Sequence, residues 1–165
     1  MAARCPYWVR PRLGGCRLPG WEDLKMLSKQ GVTLIVSLVE PDEFYDEWPG
    51  GEREFLEAAE EHGMRVYRIP TPDFTPPDPD EACKAYHLVR KEIDSGGKVV
   101  AHCLGGIGRT GTFLAGYLVW SESLTPEDAI AELARFGAGP QTPGQEQFVR
   151  LIRQHCESVK ENPPY

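Results

Sequence analysis

The sequence predicts one α/β domain, a mostly parallel central sheet flanked by helices. Three observations carry that expectation. Short β-branched and aliphatic runs alternate along the chain with longer segments of helical period. The central run, Val32 to Val39, is apolar at nearly every position, the pattern of a strand covered on both faces. The 165 residues suffice for one core of ordinary size and are too few for two.

Taken in order, Tyr7 to Arg10 reads as a short opening strand, followed by a turn at Gly14 and Gly15. Trp21 to Gln30 is a helix with Leu24 and Leu27 on one face and Gly31 as its stop. The Val32 to Val39 strand leads through a loop of Pro, Asp and Trp to a second helix, Gly51 to His62, ended by Gly63. Met64 to Ile69 is the next strand. Pro70 to Pro79 holds five prolines, a stiff loop closed to helix and strand alike. Asp78, Pro79 and Glu81 then supply an N-cap, an N1 proline and an N3 carboxylate for a helix to about Asp94. Lys98 to His102 is a short buried strand, and an apolar helix runs from about Arg109 to Trp120. Thr125 and Thr142 cap the last two helices, the final one reaching about Lys160.

Apolar residues make up 41% and charged residues 26%, values that fit a globular chain. No apolar run approaches the roughly 18 residues of a membrane span, and the Arg-punctuated N-terminus has no apolar h-region. A cytoplasmic protein with no membrane association, acting as a monomer, is the expectation. The net charge of −7 disfavours polyanionic partners such as nucleic acid. That charge is uneven: residues 40–62 carry ten carboxylates against one arginine, while the first twenty residues carry four arginines and no acid. Five cysteines without CxxC spacing or paired histidines suggest neither a disulfide framework nor a zinc site. Cys5, Cys16, Cys83 and Cys156 therefore read as ordinary thiols in a reducing compartment.

The stretch that carries chemistry is Val99-Val-Ala-His-Cys-Leu-Gly-Gly-Ile-Gly-Arg-Thr-Gly111. A buried strand feeds a loop with glycines at 105, 106 and 108, and a helix starts at its end. Glycines let successive N–H groups turn toward one point, where the helix N-terminus adds partial positive charge. Such a loop cradles a tetrahedral dianion, and Arg109 adds a planar fork for two phosphate oxygens. Cys103 stands at the bottom of the same field, a setting that favours thiolate over thiol.

His102-Cys103-x5-Arg109-Thr110 matches the signature of the cysteine-dependent protein tyrosine and dual-specificity phosphatases at every defined position. Ile69-Pro-Thr-Pro-Asp73 resembles the general-acid loop of that family, and Gln141-Thr-Pro-Gly-Gln145 its glutamine loop. The opening Tyr7-Trp-Val-Arg10, the Val36-Ser-Leu38 strand followed by Glu40, and Asp128 to Leu133 resemble the small archaeal-type members and the compact VH1-like member Z. The resemblance implies a cysteine-phosphatase fold over nearly the whole chain and no cofactor or metal. It implies Cys103 as nucleophile, with Arg109 and the amides of Leu104, Gly105, Gly106, Ile107 and Gly108 holding the phosphate. Asp73 would be general acid and then base, Gln141 would position water, Thr110 would donate its hydroxyl to the Cys103 sulfur, and His102 would order the loop.

Gln145 reads either as support for Gln141 or as the N3 member of a capping box with Thr142. Glu40 either holds Arg109 in position or is a solvated carboxylate, and Phe74 either flanks an aryl phosphate or packs. Trp21, Trp48 and Trp120 are expected to pack, Trp48 alternatively lining the entrance. The expected substrates are phosphotyrosine, with phosphoserine and phosphothreonine, in proteins or peptides. A phosphoinositide or an RNA 5′-phosphate is the alternative, made weaker by a signature loop without lysine. A non-catalytic phosphopeptide-binding module is the other class, and it would normally lack the nucleophile or the acid.

Overall fold

The computed structural model describes residues 4–161. Five strands form one sheet: β1 (Tyr7–Arg10), β2 (Leu13–Cys16), β3 (Val32–Ser37), β4 (Arg65–Arg68) and β5 (Lys98–His102). Their order is β1-β2-β5-β3-β4, with only the β1–β2 pair antiparallel. Among the described residues six α-helices accompany the sheet: α1 (Trp21–Lys29), α2 (Gly51–Glu61), α3 (Pro79–Asp94), α4 (Gly108–Glu122), α5 (Pro126–Ala134) and α6 (Pro143–Glu161). This is the α/β architecture expected from the sequence.

Element starts are set by side-chain caps where the sequence placed them. Asp78 accepts the Glu81 N–H at 3.0 Å, Thr125 the Asp128 N–H at 3.1 Å, and Thr142 the Gln145 N–H at 3.2 Å. Strand β5 is central, with Val99, Val100 and Ala101 fully buried between β2 and β3. The first twelve residues of α4, Gly108 to Val119, are all buried, which is why that helix shows no polar face in the sequence. The junction between these two elements carries the signature loop. Its position at the carboxyl end of a central parallel strand is where open α/β sheets bind ligands.

Three expectations are corrected. Gly14 and Gly15 are not a turn but lie inside β2, and the chain reverses at Pro11 and Arg12. They are glycines because β1 lies over them: a Cβ on Gly15 would collide with the Tyr7 ring. The loop after β3 contains a 3-10 helix, Pro41–Asp46, that was not foreseen. Finally, Cys5 pairs with Cys16 and Cys83 with Cys156, leaving Cys103 as the free, buried cysteine. The hairpin sets the first pair side by side, and the packing of α3 on α6 the second; neither proximity is written in sequence spacing. The odd count thus loses its weight as an argument for a reducing compartment.

The tryptophans divide. Trp48 is buried and its indole donates to the Pro19 carbonyl at 2.9 Å, tying the acidic segment to the N-terminal loop. Trp120 lies under the Arg90 guanidinium. Trp21, expected to pack, is 48% exposed and makes an edge contact with His62. Among the described residues no helix is long and apolar enough to cross a membrane.

Candidate active site

The signature loop is shaped by where its carbonyls go. His102 Nδ1 lies 2.9 Å from the Cys103 carbonyl. The Leu18 N–H donates to the Leu104 carbonyl at 2.9 Å, and the Tyr7 hydroxyl to that of Gly106 at 2.6 Å. The N–H groups of Gly111 and Gly139 take the carbonyl of Ile107. With these acceptors tied to surrounding structure, the loop is free to present N–H groups to one point. The Gly106 N–H is directed at Cys103 Sγ, 3.2 Å away. Gly106 sits at φ +78°, and a Cβ there would stand 2.8 Å from the Cys16 carbonyl, so only glycine fits.

His102 serves this frame as a neutral ring. Burial, helped by the positive charges of Arg68 and Arg109, lowers its pKa to about 4. Because a carbonyl only accepts, Nδ1 carries the proton. Nε2 has no hydrogen-bond partner and the ring lies against Phe44 and Phe55. His102 therefore ties the carbonyl at the head of the loop through Nδ1, and its Nε2, without a hydrogen-bond partner, is not placed to shuttle protons.

Arg109 is held by Glu43, not by Glu40. Its Nη1 and Nη2 make a two-pronged contact with the Glu43 carboxylate at 2.7 and 2.8 Å, and Nη1 also donates to the Thr71 carbonyl at 2.9 Å. Glu40 lies at the start of the 3-10 helix, and its N–H donates to the same Glu43 carboxylate at 2.7 Å. Burial opposes the charge on Arg109, but the bonds to Glu43 and the negative charge of Cys103 and Asp73 outweigh it and raise its pKa. On Glu43 burial likewise opposes ionisation, and the bonds from Arg109 and the Glu40 N–H win, lowering its pKa. The guanidinium is thus fixed and charged, with its Nε free of any hydrogen-bond partner and 3.5 Å from Asp73 Oδ1.

Asp73 is half exposed above the loop, its carboxylate accepting the Phe74 N–H at 2.9 Å. Phe74 has φ +65°, an uncommon conformation for a bulky residue, and its carbonyl accepts from the Thr142 hydroxyl at 3.1 Å. Gln145, fully buried, joins the two loops from beneath. Its Oε1 accepts the Gln141 N–H at 2.7 Å and its Nε2 donates to the Thr75 carbonyl at 3.3 Å. It is a brace, whereas the exposed Gln141 side chain lies against Gly108.

These loops enclose a cleft of about 370 Å³, lined by Asp73, Phe74, Cys103, Ile107, Arg109 and Gln141, with Leu104, Gly105 and Gly108 completing its walls. Thr110 is corrected: its buried hydroxyl has no hydrogen-bond partner and does not reach Cys103 Sγ, which the Gly106 N–H contacts instead. Two residues escaped the sequence reading. Glu43 was legible as the N3 carboxylate after Glu40 and Pro41, while Tyr7, 99 residues from Gly106, had no local signal.

A free cysteine contacted by the Gly106 N–H, with a fixed guanidinium and an acid beside it, is the arrangement of the cysteine-dependent phosphatases of the protein tyrosine/dual-specificity type. Residues 15–123 match the family model described as Tc-R-P: Polymorphic toxin system, DSP-PTPase phosphatase, and the chain belongs to that family. It is 25% identical over 138 residues to tyrosine-protein phosphatase CDC14 of Candida albicans. That alignment takes in 84% of this chain but spans only 23% of the relative's length. Among solved structures, Tk-PTP in its active form is similar at a TM-score of 0.79 and 26% identity, over 91% of this chain and 97% of that one. PTPMT1 in complex with PI(5)P shares the fold at a TM-score of 0.83 and 18% identity, over 95% of this chain and 99% of that one.

Proposed function

We propose that the chain hydrolyses phosphotyrosine, with phosphoserine and phosphothreonine, in proteins or peptides through a phosphocysteine intermediate. The observation that carries this reading is the placement of Cys103, Arg109 and Asp73 around one cleft. The Cys103 thiolate attacks phosphorus in line, forming the S–P bond as the P–O bond to the leaving group breaks. Loop amides and Arg109 bind the equatorial oxygens, and protonated Asp73 gives its proton to the leaving oxygen. In the second step Asp73 takes a proton from water held by Gln141. That water displaces the thiolate and releases inorganic phosphate. The positive field comes from the protein itself, so the steps use no metal.

Phe74, 59% exposed beside Asp73, supports an aryl phosphate by offering an apolar face at the rim. The five loop residues between Cys103 and Arg109 carry no lysine for the further phosphates of an inositide. Rates on phosphotyrosine, phosphoserine and phosphothreonine peptides, a phosphoinositide and a 5′-phosphorylated RNA, at equal concentration, test the substrate class. The phosphotyrosine peptide is expected to be fastest; a faster inositide or RNA would overturn the assignment.

Asp73→Asn tests the proton donor. For poor leaving groups kcat should fall by about 10² to 10³, and the limb of the pH profile that falls as pH rises should flatten. An unchanged profile would move the acid elsewhere.

A further inference from the structure

The phosphate loop depends on a residue outside every motif of the signature, acid and glutamine loops. We propose that Tyr7 is a positioning residue for catalysis, its hydroxyl setting the peptide plane that presents the Ile107 N–H to phosphate. The inference rests on the phosphatase reading above.

The geometry is specific. Tyr7 reaches the loop from β1, across the width of β2, and donates to the Gly106 carbonyl at 2.6 Å. A trans peptide unit is planar, with its C=O and N–H pointing in opposite directions. Drawing the Gly106 oxygen toward the hairpin therefore turns the Ile107 N–H the other way. Ile107 is among the residues that line the cleft, consistent with that direction. Gly106 also has the backbone freedom of φ +78°, so the glycine that makes the loop possible leaves its peptide in need of an anchor.

The hydroxyl is well suited to that task. The ring is 5% exposed, stacks on Phe136 at 5.6 Å between centroids, and fills the space left by the missing Cβ of Gly15. Burial, with the negative charge of Cys103, raises the phenol pKa well above its ordinary value, so the group remains a donor. The strand itself is fastened at its start, since Cys5 is joined to Cys16 at the end of β2. The Leu18 N–H, just beyond, holds the Leu104 carbonyl. The N-terminal hairpin is thus the back wall of the phosphate loop.

The test separates hydroxyl from ring. Tyr7→Phe removes only the donor and keeps the packing, whereas Phe136→Leu disturbs the stack and keeps the donor. Three readouts are compared with wild type: the thermal midpoint, kcat and KM on p-nitrophenyl phosphate, and tungstate affinity by calorimetry. Tyr7→Phe should lower kcat/KM and tungstate affinity together by about tenfold, the size of one ordinary hydrogen bond, at a thermal midpoint close to wild type. Phe136→Leu should leave both near wild type. The proposal is overturned if Tyr7→Phe stays within about twofold on both counts, or if Phe136→Leu loses as much. Tungstate binding does not require turnover. A wild-type protein that binds tungstate without hydrolysing any phosphomonoester would refute the enzymatic reading, while the affinity of Tyr7→Phe would still judge the anchor.

Discussion

Cys103→Ser is expected to lower turnover of p-nitrophenyl phosphate by at least about four orders of magnitude, while phosphopeptide binding persists. The expectation follows from what the substitution leaves in place. Gly106 still directs its N–H at the side chain of residue 103, Arg109 still grips Glu43, and the loop carbonyls remain tied outward. The binding field survives and only the nucleophile changes. An alkoxide is far harder to form at neutral pH than a thiolate, so the serine does not replace it. Stopped turnover with retained affinity, measured by calorimetry with a phosphotyrosine peptide, is the signature. Residual activity within about a hundredfold of wild type would remove Cys103 from the covalent role.

Arg109→Lys should cost about 10³ in kcat/KM, within the range that charge-stabilising groups at phosphoryl transfer carry. Lysine keeps the charge, so the loss measures geometry. The guanidinium uses Nη1 and Nη2 on Glu43 and Nη1 again on the Thr71 carbonyl, which aims the fork from behind. A single ammonium cannot satisfy that carboxylate in two-pronged fashion and face the cleft as well. The side chain of Arg109 is 1% exposed, so Glu43 loses its matched partner and the thermal midpoint should fall too. Steady-state kinetics alongside a thermal melt separate the two effects. Activity within tenfold of wild type would mean that charge alone suffices.

The fold was largely legible because its signals are local. Asp78-Pro79 with Glu81 starts α3, Thr125-Pro126 starts α5, and the unbroken apolar runs mark strands buried on both faces. The reactive loop was legible for the same reason, since Cys103, its glycines and Arg109 occupy seven consecutive positions. What escaped depends on contacts between distant segments. Glu43 is an intermediate case. Glu40-Pro41-Asp42-Glu43 repeats the cap, proline and N3-carboxylate pattern that was recognised at Asp78, yet its place behind Arg109 is set by a contact across 66 residues. The disulfides join residues 11 and 73 positions apart, and Gly14 and Gly15 mimic a turn although a ring lies over the strand that contains them. The hydroxyl of Thr110 shows the reverse error. The family resemblance implied a bond to sulfur that the start of α4 does not provide.

The central claim is that phosphate passes through Cys103, and trapping the intermediate tests it most directly. p-Nitrophenolate leaves easily, so hydrolysis of the intermediate becomes the slower step and product should appear in a burst. Acid quench during that turnover, followed by peptide mass spectrometry, is expected to find one phosphoryl group on the peptide containing Cys103. Steady turnover with no burst, or with the phosphoryl group on any other residue, would contradict the account.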